Sequence, residues 1–198
     1  MRAFLAVHLD ADLRRQLAAI QDELRGQLSR PGGPRARVTW VKPDALHLTI
    51  KFLGDIAEGA ADPLRERIGA IVAGRLSFEI PLQRLGAFPR PQAPRTIWMG
   101  PVAGWDASPE GRSLVGFVRL IDEACGAIGV PGETHDWRPH LTLARLREGE
   151  RDAGRVLTEG GFFERVWALP ALGVVAISFM RSELLPGGPR HTEIWTVS

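Results

Sequence analysis

One tetrapeptide pattern occurs twice in this chain, as His47-Leu48-Thr49-Ile50 and as His140-Leu141-Thr142-Leu143, 93 residues apart. Both copies read as strands, with aliphatic and β-branched residues in alternation. On a strand, residues i and i+2 share a face. Each histidine therefore stands beside its threonine, and the leucine between them turns to the core. With five histidines and eight threonines in the chain, chance supplies about 0.2 such pairs. The flanks match as well: Trp40-Val41-Lys42-Pro43 precedes the first copy and Trp137-Arg138-Pro139 the second. A period this long is not a solenoid repeat. It points to two similar lobes that face each other and give one pocket two imidazoles and two hydroxyls.

The rest of the chain sets bounds on that idea. At 198 residues there is room for one large domain or two small lobes sharing a core. A net charge of +2 excludes a bulk polyelectrolyte binder. Lysine occurs only at 42 and 51, so nearly all the positive charge is arginine. Cys125 is the single cysteine and sits in an apolar helical pattern, which reads as a buried core thiol in a cytoplasmic protein. The apolar start, Phe4 to Leu9, is too short for a signal peptide, and no stretch approaches a membrane span.

In chain order, the pattern predicts strands over 3–9, 38–41 and 46–53, and a helix over 11–28 capped by Asp10, with Leu13, Leu17, Ile20, Leu24 and Leu28 as its apolar stripe. It predicts a second helix over 58–74, then one long strand over 76–87 with Pro81 inside it, and a strand over 96–100. A helix over 111–128, the second motif strand over 140–146 and a helical stretch over 149–159 follow. One long or two short strands fill 166–179, and a last strand covers 191–197. Pro31-Gly32-Gly33-Pro34 and Pro186-Gly187-Gly188-Pro189 read as turns. Short strand connections make this an α+β chain with mainly antiparallel sheets and outer helices rather than a doubly wound sheet, over 1–198 as a single bilobed domain.

The paired motifs resemble those of the 2H phosphoesterases, and the flanking text resembles one branch of them, the RNA 2′,3′-cyclic phosphodiesterases or 2′-5′ RNA ligase family. The matching stretches are Phe4-Leu5-Ala6-Val7, Trp40 to Pro43, His47 to Gly54, Gly86-Ala87-Phe88-Pro89, Arg138 to Arg145 and Arg181 to Arg190. The resemblance implies two sheets flanking a groove with one motif on each side. It implies that the ring of a 2′,3′-cyclic phosphate is opened to a 2′-phosphate, and that RNA ends are joined by a 2′-5′ linkage in the reverse sense. It also implies His140 as general base, His47 as general acid toward the 3′-oxygen, and a phosphate-binding arginine at Arg145.

That chemistry suits the residues. Hydrolysis needs a base to take a proton from water and an acid to protonate the departing oxygen, on opposite sides of phosphorus. Histidine serves both roles because it titrates near neutrality. Thr49 and Thr142 would donate to the non-bridging oxygens. No carboxylate cluster or Cys/His spacing reads as a metal site, so neither a metal nor a cofactor is expected. Strand parity puts Lys51 on the face of His47 and Thr49, within reach of phosphate. The same parity puts Arg145 opposite His140 and Thr142, so a phosphate role requires the strand to end or bulge at Ala144.

Other residues are weaker candidates. His8, His135 and His191 lack a threonine partner and read as surface or structural groups, with His135 near enough to the second motif to line the groove. Phe88 or Trp98 is the candidate base-stacking ring. The expected partners are RNA 2′,3′-cyclic phosphate ends or small cyclic nucleotides, with no membrane and no obligate protein partner. A non-catalytic nucleotide- or RNA-binding module is the alternative of a different class, and the intact histidines and threonines argue against it.

Overall fold

A computed structural model describes residues 1–30, 33, 35–132, 136–185 and 188–198. The chain runs β1 (Arg2–His8), α1 (Ala11–Leu28), β2 (Arg37–Trp40), β3 (His47–Asp55), α2 (Ala61–Val72), β4 (Phe78–Ile80), β5 (Arg84–Phe88) and β6 (Thr96–Gly100). It continues with α3 (Pro109–Gly126), β7 (Leu141–Glu148), α4 (Glu150–Glu159), β8 (Leu172–Val174), β9 (Ile177–Leu185) and β10 (Gly188–Val197). The α+β reading holds, and the paired strands are antiparallel.

Eight strands form one sheet in the order β10-β9-β1-β3-β7-β6-β5, with β2 also on β7. The two motif strands meet in its middle. Between β3 and β7 the register gives a single rung, Leu48 to Leu141. Past that rung the strands part: β3 runs on along β1, and β7 takes β2 on the edge that β3 has left. The result is two half-sheets hinged on one rung, where the resemblance implied two sheets flanking a groove.

The helices cover one face. Asp10 caps α1 by accepting from the Leu13 amide at 2.7 Å, and the stripe Leu13, Leu17, Ile20, Leu24 and Leu28 is buried as its spacing predicts. Ser108 caps α3 in the same way, which buries Leu114, Phe117, Val118, Ile121 and Cys125. These residues join Leu5, Leu48, Ile50, Leu141 and Leu143 in one apolar core that spans both half-sheets. Phe4, Ala6 and Met180 form a small separate cluster on the other, open face.

Three expected elements differ. The strand expected over 76–87 breaks at Pro81. Its first part, β4, pairs β8 in a separate two-stranded sheet, and its second, β5, joins the main sheet. Proline has no amide for a ladder, and here it marks the change of sheet. The second helix begins at Ala61, after a 3₁₀ turn over 58–60. The strand that follows β8 runs on to Leu185, so β9 and β10 form a long hairpin. Residues 31, 32 and 34 of the first Pro-Gly-rich turn, and 186 and 187 of the second, lie outside the described residues.

Candidate functional site

The open face is where the motif side chains emerge. His47 and Thr49 are partly exposed while Leu48 and Ile50 are buried, and Thr142 is partly exposed between buried Leu141 and Leu143. The antiparallel register set by Leu48 and Leu141 faces His47 toward Thr142 and Thr49 toward His140. The histidines therefore lie on a diagonal, about 7–8 Å in a regular antiparallel pair.

Both rings are held in the same way. His47 Nδ1 donates to the Ala45 carbonyl and His140 Nδ1 to the Arg138 carbonyl, each at 2.8 Å and each two residues back. A carbonyl only accepts, so Nδ1 carries the proton in both rings, and the neutral form leaves Nε2 as the acceptor. A 3₁₀ turn over 43–45 presents the first carbonyl. The Trp137 indole donates to the Thr49 carbonyl at 3.0 Å and ties the approach to the second motif to the first motif strand.

Alternation then breaks at the same place in both strands. On β3, Thr49 pairs Ala6 and Lys51 pairs Leu5, so Ile50 is an extra residue. On β7, Thr142 pairs Trp98 and Ala144 pairs Ile97, so Leu143 is extra. A one-residue bulge reverses the facing of everything after it. Two outcomes follow. Arg145 returns to the exposed face with His140 and Thr142; the extra residue is Leu143, one position earlier than the strand break expected at Ala144. Lys51 goes the other way, and this corrects the expectation that it shares the face of His47. It is 3% exposed, its ammonium is 2.6 Å from Asp122 of α3, and it donates to the Pro131 carbonyl at 2.8 Å. Phe52 takes the outward position in its place and is 60% exposed.

The second bulge is pinned from behind. Leu143's carbonyl accepts from the Val41 amide at 2.9 Å and from Gln21 Nε2 at 2.9 Å. Gln21 also donates to the Val41 carbonyl at 2.8 Å. It is a polar side chain 2% exposed on the apolar stripe of α1, and it spends its amide protons on the segment that turns Arg145 outward.

Electrostatics mark the same groups. Burial, above all, lowers His47 from its ordinary 6.5 to about 4; the Ala45 bond opposes this, and His191, His8 and Arg145 add to it. His140 is also lowered, again chiefly by burial, with Arg145 adding to it. The guanidinium thus acts on both histidines. His191, which sequence reasoning set aside, is a third ring here. It lies edge-on to His47 with centroids 5.5 Å apart and edge-on to Phe4 at 4.9 Å. Nothing local pointed to it: β10 reaches the site only through its pairing with β9, which sets His191 opposite Ser182.

Phe88 and Trp98 pack together with centroids 5.2 Å apart and both flank His140, Phe88 edge-on at 5.1 Å and Trp98 at 6.2 Å. Trp98 lies flat over Gly86, where a Cβ would come within 2.1 Å of the ring. His8 pairs with Glu193 at 3.0 Å. Cys125 is buried, and burial pushes its thiol up to about 11, the state of an inert core thiol. His135 lies outside the described residues. Among the described residues, no group of three or more His, Cys, Asp or Glu is arranged to hold a metal ion, and no helix is long and apolar enough to cross a membrane.

Residues 7–98 match the model of the LigT-like phosphoesterase family. The fold is similar to that of Escherichia coli LigT solved with 3′-AMP, with a TM-score of 0.67, 22% identity and coverage of 98% of this chain and 95% of the other. It is also similar to a solved Thermus thermophilus protein, with a TM-score of 0.64, 26% identity and coverage of 100% and 97%. The RNA 2′,3′-cyclic phosphodiesterase of Aeropyrum pernix is 31% identical over 88% of this chain and 92% of its own. The RNA 2′,3′-cyclic phosphodiesterase of Methanothermobacter thermautotrophicus is 34% identical over 98% of this chain and 96% of its own, and by that likeness the chain belongs to the LigT-like family of RNA 2′,3′-cyclic phosphodiesterases.

Proposed function

We propose that this protein opens RNA 2′,3′-cyclic phosphate ends to 2′-phosphomonoesters without a metal ion. The observation that carries the proposal is the pair of histidines, each fixed through Nδ1 to the carbonyl two residues back, set diagonally across one rung with a threonine beside each. His140 Nε2 takes a proton from water as the water oxygen attacks phosphorus. The bond from phosphorus to the 3′-oxygen breaks, and His47 Nε2 delivers a proton to that oxygen. Thr49, Thr142 and Arg145 hold the non-bridging oxygens as their charge grows. Burial lowers both rings and so disfavours their charged forms, and a phosphodiester anion seated between them favours the protonated ring that the acid step needs.

With a 5′-hydroxyl in the place of water, the same two transfers join RNA ends through a 2′-5′ linkage. Residues 1–198 act in this reading as one bilobed domain, and the buried free Cys125 suits a reducing cytoplasm.

The test is turnover of a short RNA ending in 2′,3′-cyclic phosphate, in EDTA, with the product mapped as a 2′- or 3′-phosphate. A 2′-phosphate formed at an undiminished kcat supports the reading. A 3′-phosphate reverses the leaving oxygen and the acid and base assignments. A rate that collapses on chelation and returns with one metal overturns the two-histidine mechanism.

A further inference from the structure

Beside His47, on the half-sheet that carries β1, β9 and β10, the open face deepens into a cleft of about 600 Å³. Phe4, Met180 and Leu185 give it an apolar lining; His191, Lys42 and Arg190 add polar and charged groups. The proposed reaction accounts for none of the last two. We propose that this cleft binds the nucleotide preceding the cyclic end, with its base on the apolar lining and its 3′,5′-phosphodiester at Lys42 and Arg190.

The inference rests on the phosphodiesterase reading and takes two further steps. The first is in-line geometry. The departing 3′-oxygen lies on the acid's side of phosphorus, so the ribose and the chain behind it extend past His47. The cleft lies on that flank. On the other flank the space beside His140 is taken by Phe88 and Trp98.

The second step is charge. A mononucleotide brings one phosphate, which sits between the histidines beside Arg145. Lys42 and Arg190 are exposed cations on the lining of the cleft; Arg190 already pairs with Glu183, and a substrate with a second phosphate brings both of them a further anion. Of the two acids that line the cleft, Glu193 is held by hydrogen bonds, and Asp44 is exposed with one long contact to Arg14. Glu193 accepts from Ser178 at 3.0 Å and pairs His8, and Asp44 lies 3.7 Å from Arg14. Arg190 uses Nε and Nη2 on Glu183, at 3.3 and 2.9 Å, which leaves Nη1 for a ligand. A cleft of this size is in the usual range for a nucleotide-sized ligand, and a base on an apolar floor beside backbone cations is how single strands are commonly held.

The experiment compares kcat/KM for a nucleoside 2′,3′-cyclic monophosphate with that for a dinucleotide carrying the same cyclic end. The expected ratio favours the dinucleotide roughly tenfold, the scale of one charge-assisted phosphate contact. Lys42→Ala and Arg190→Ala each shrink the ratio, and the double variant brings it near one. A neutral methylphosphonate in the dinucleotide linkage, tested on the unmodified protein, removes the preference without any substitution. A ratio near one in the unmodified protein overturns the inference and leaves the phosphodiesterase reading standing. So does a ratio that survives the double variant, or one that the methylphosphonate does not touch. Failure to turn over either substrate overturns that reading itself.

Discussion

The two half-sheets do the same thing to their backbones and different things with the result. Each motif strand presents histidine, core residue, threonine, and then a bulge at the third residue past the histidine, Ile50 in one and Leu143 in the other. Three residues past each threonine, the outward position is Phe52 on β3 and Arg145 on β7. The bulge is therefore a device for aiming one more side chain at the groove, and the side chain it aims differs. The shared part, an imidazole held through Nδ1, suits two proton transfers that are mirror images across phosphorus. The unshared part gives the groove a polarity. One side presents a guanidinium, Arg145, on the face of His140 and Thr142; the other presents a phenyl ring, Phe52, 6.3 Å from that of Phe4. A symmetric site would accept its substrate in either orientation.

The largest effects should fall on the shared part. His47→Ala and His140→Ala each remove one proton-transfer partner, a loss on the order of 10²–10⁴-fold in kcat, with the melting temperature little changed because both rings border the groove. Near-normal rate in either variant breaks the claim that the halves are chemically equivalent. Thr49→Val and Thr142→Val keep the strand and remove the hydroxyl. Each should cost less than its histidine, up to about 10²-fold, since the other donor remains. Unchanged kinetics in both would make the threonines strand formers only.

How much of this was written in the sequence depends on the range of the interaction. The pairing of His47 with Thr49 and of His140 with Thr142 is a two-residue property of a strand, and alternation delivers it. The caps at Asp10 and Ser108 and the apolar stripes of α1 and α3 are equally local. Lys51 and Arg145 were not legible in this way. Their facing depends on bulges set by register against β1 and β6, which no window around either residue contains. Parity alone would have exposed Lys51 and buried Arg145, and the structure does the reverse for both. At Arg145 the resemblance required the outward facing that the bulge produces, though it contains nothing of the cause. The place of His191 beside Phe4 and His47 was illegible for the same reason as the facing of Lys51: those neighbours lie on β1 and β3, far away in sequence. Gln21 looked like an ordinary helix residue, and only the fold shows what its amide holds.

Gln21 sharpens the comparison, because it pins the bulge on the arginine side. Gln21→Leu leaves the Val41 amide on Leu143's carbonyl but removes the second donor and strips the Val41 carbonyl of its bond. The stability cost should be about 1–3 kcal/mol, typical of a buried polar group left unpaired. On activity, roughly a tenfold loss of kcat/KM is expected, the scale of one weakened phosphate contact. The decisive measurement is a double-mutant cycle. If Gln21 acts through Arg145, adding Gln21→Leu to Arg145→Ala costs nothing further in kcat/KM. Losses that multiply show a general loosening of the sheet instead. Phe52→Ala, the same test on the other half, should raise KM for nucleoside substrates several-fold and leave the pH dependence alone, as loss of a stacking ring would.

The smallest expected effect is a displacement on the pH axis, and it separates Arg145's charge from its shape. In the free protein the bell of kcat/KM has its limbs at the two histidine pKa values. Burial lowers His47 from 6.5 to about 4 and lowers His140 as well, so the midpoint of the bell lies on the acid side of 6.5. Part of each depression comes from the Arg145 guanidinium, since a positive neighbour disfavours adding a second positive charge. Arg145→Gln removes that charge. Both pKa values then rise, and the whole bell moves toward alkaline pH while the rate falls. Arg145→Lys retains the charge but not the planar fork, so it should lose rate with the bell left nearly in place. A Gln variant whose bell stays put would mean that the guanidinium does not act on the histidines, and the asymmetry between Arg145 and Phe52 would then concern substrate contacts alone.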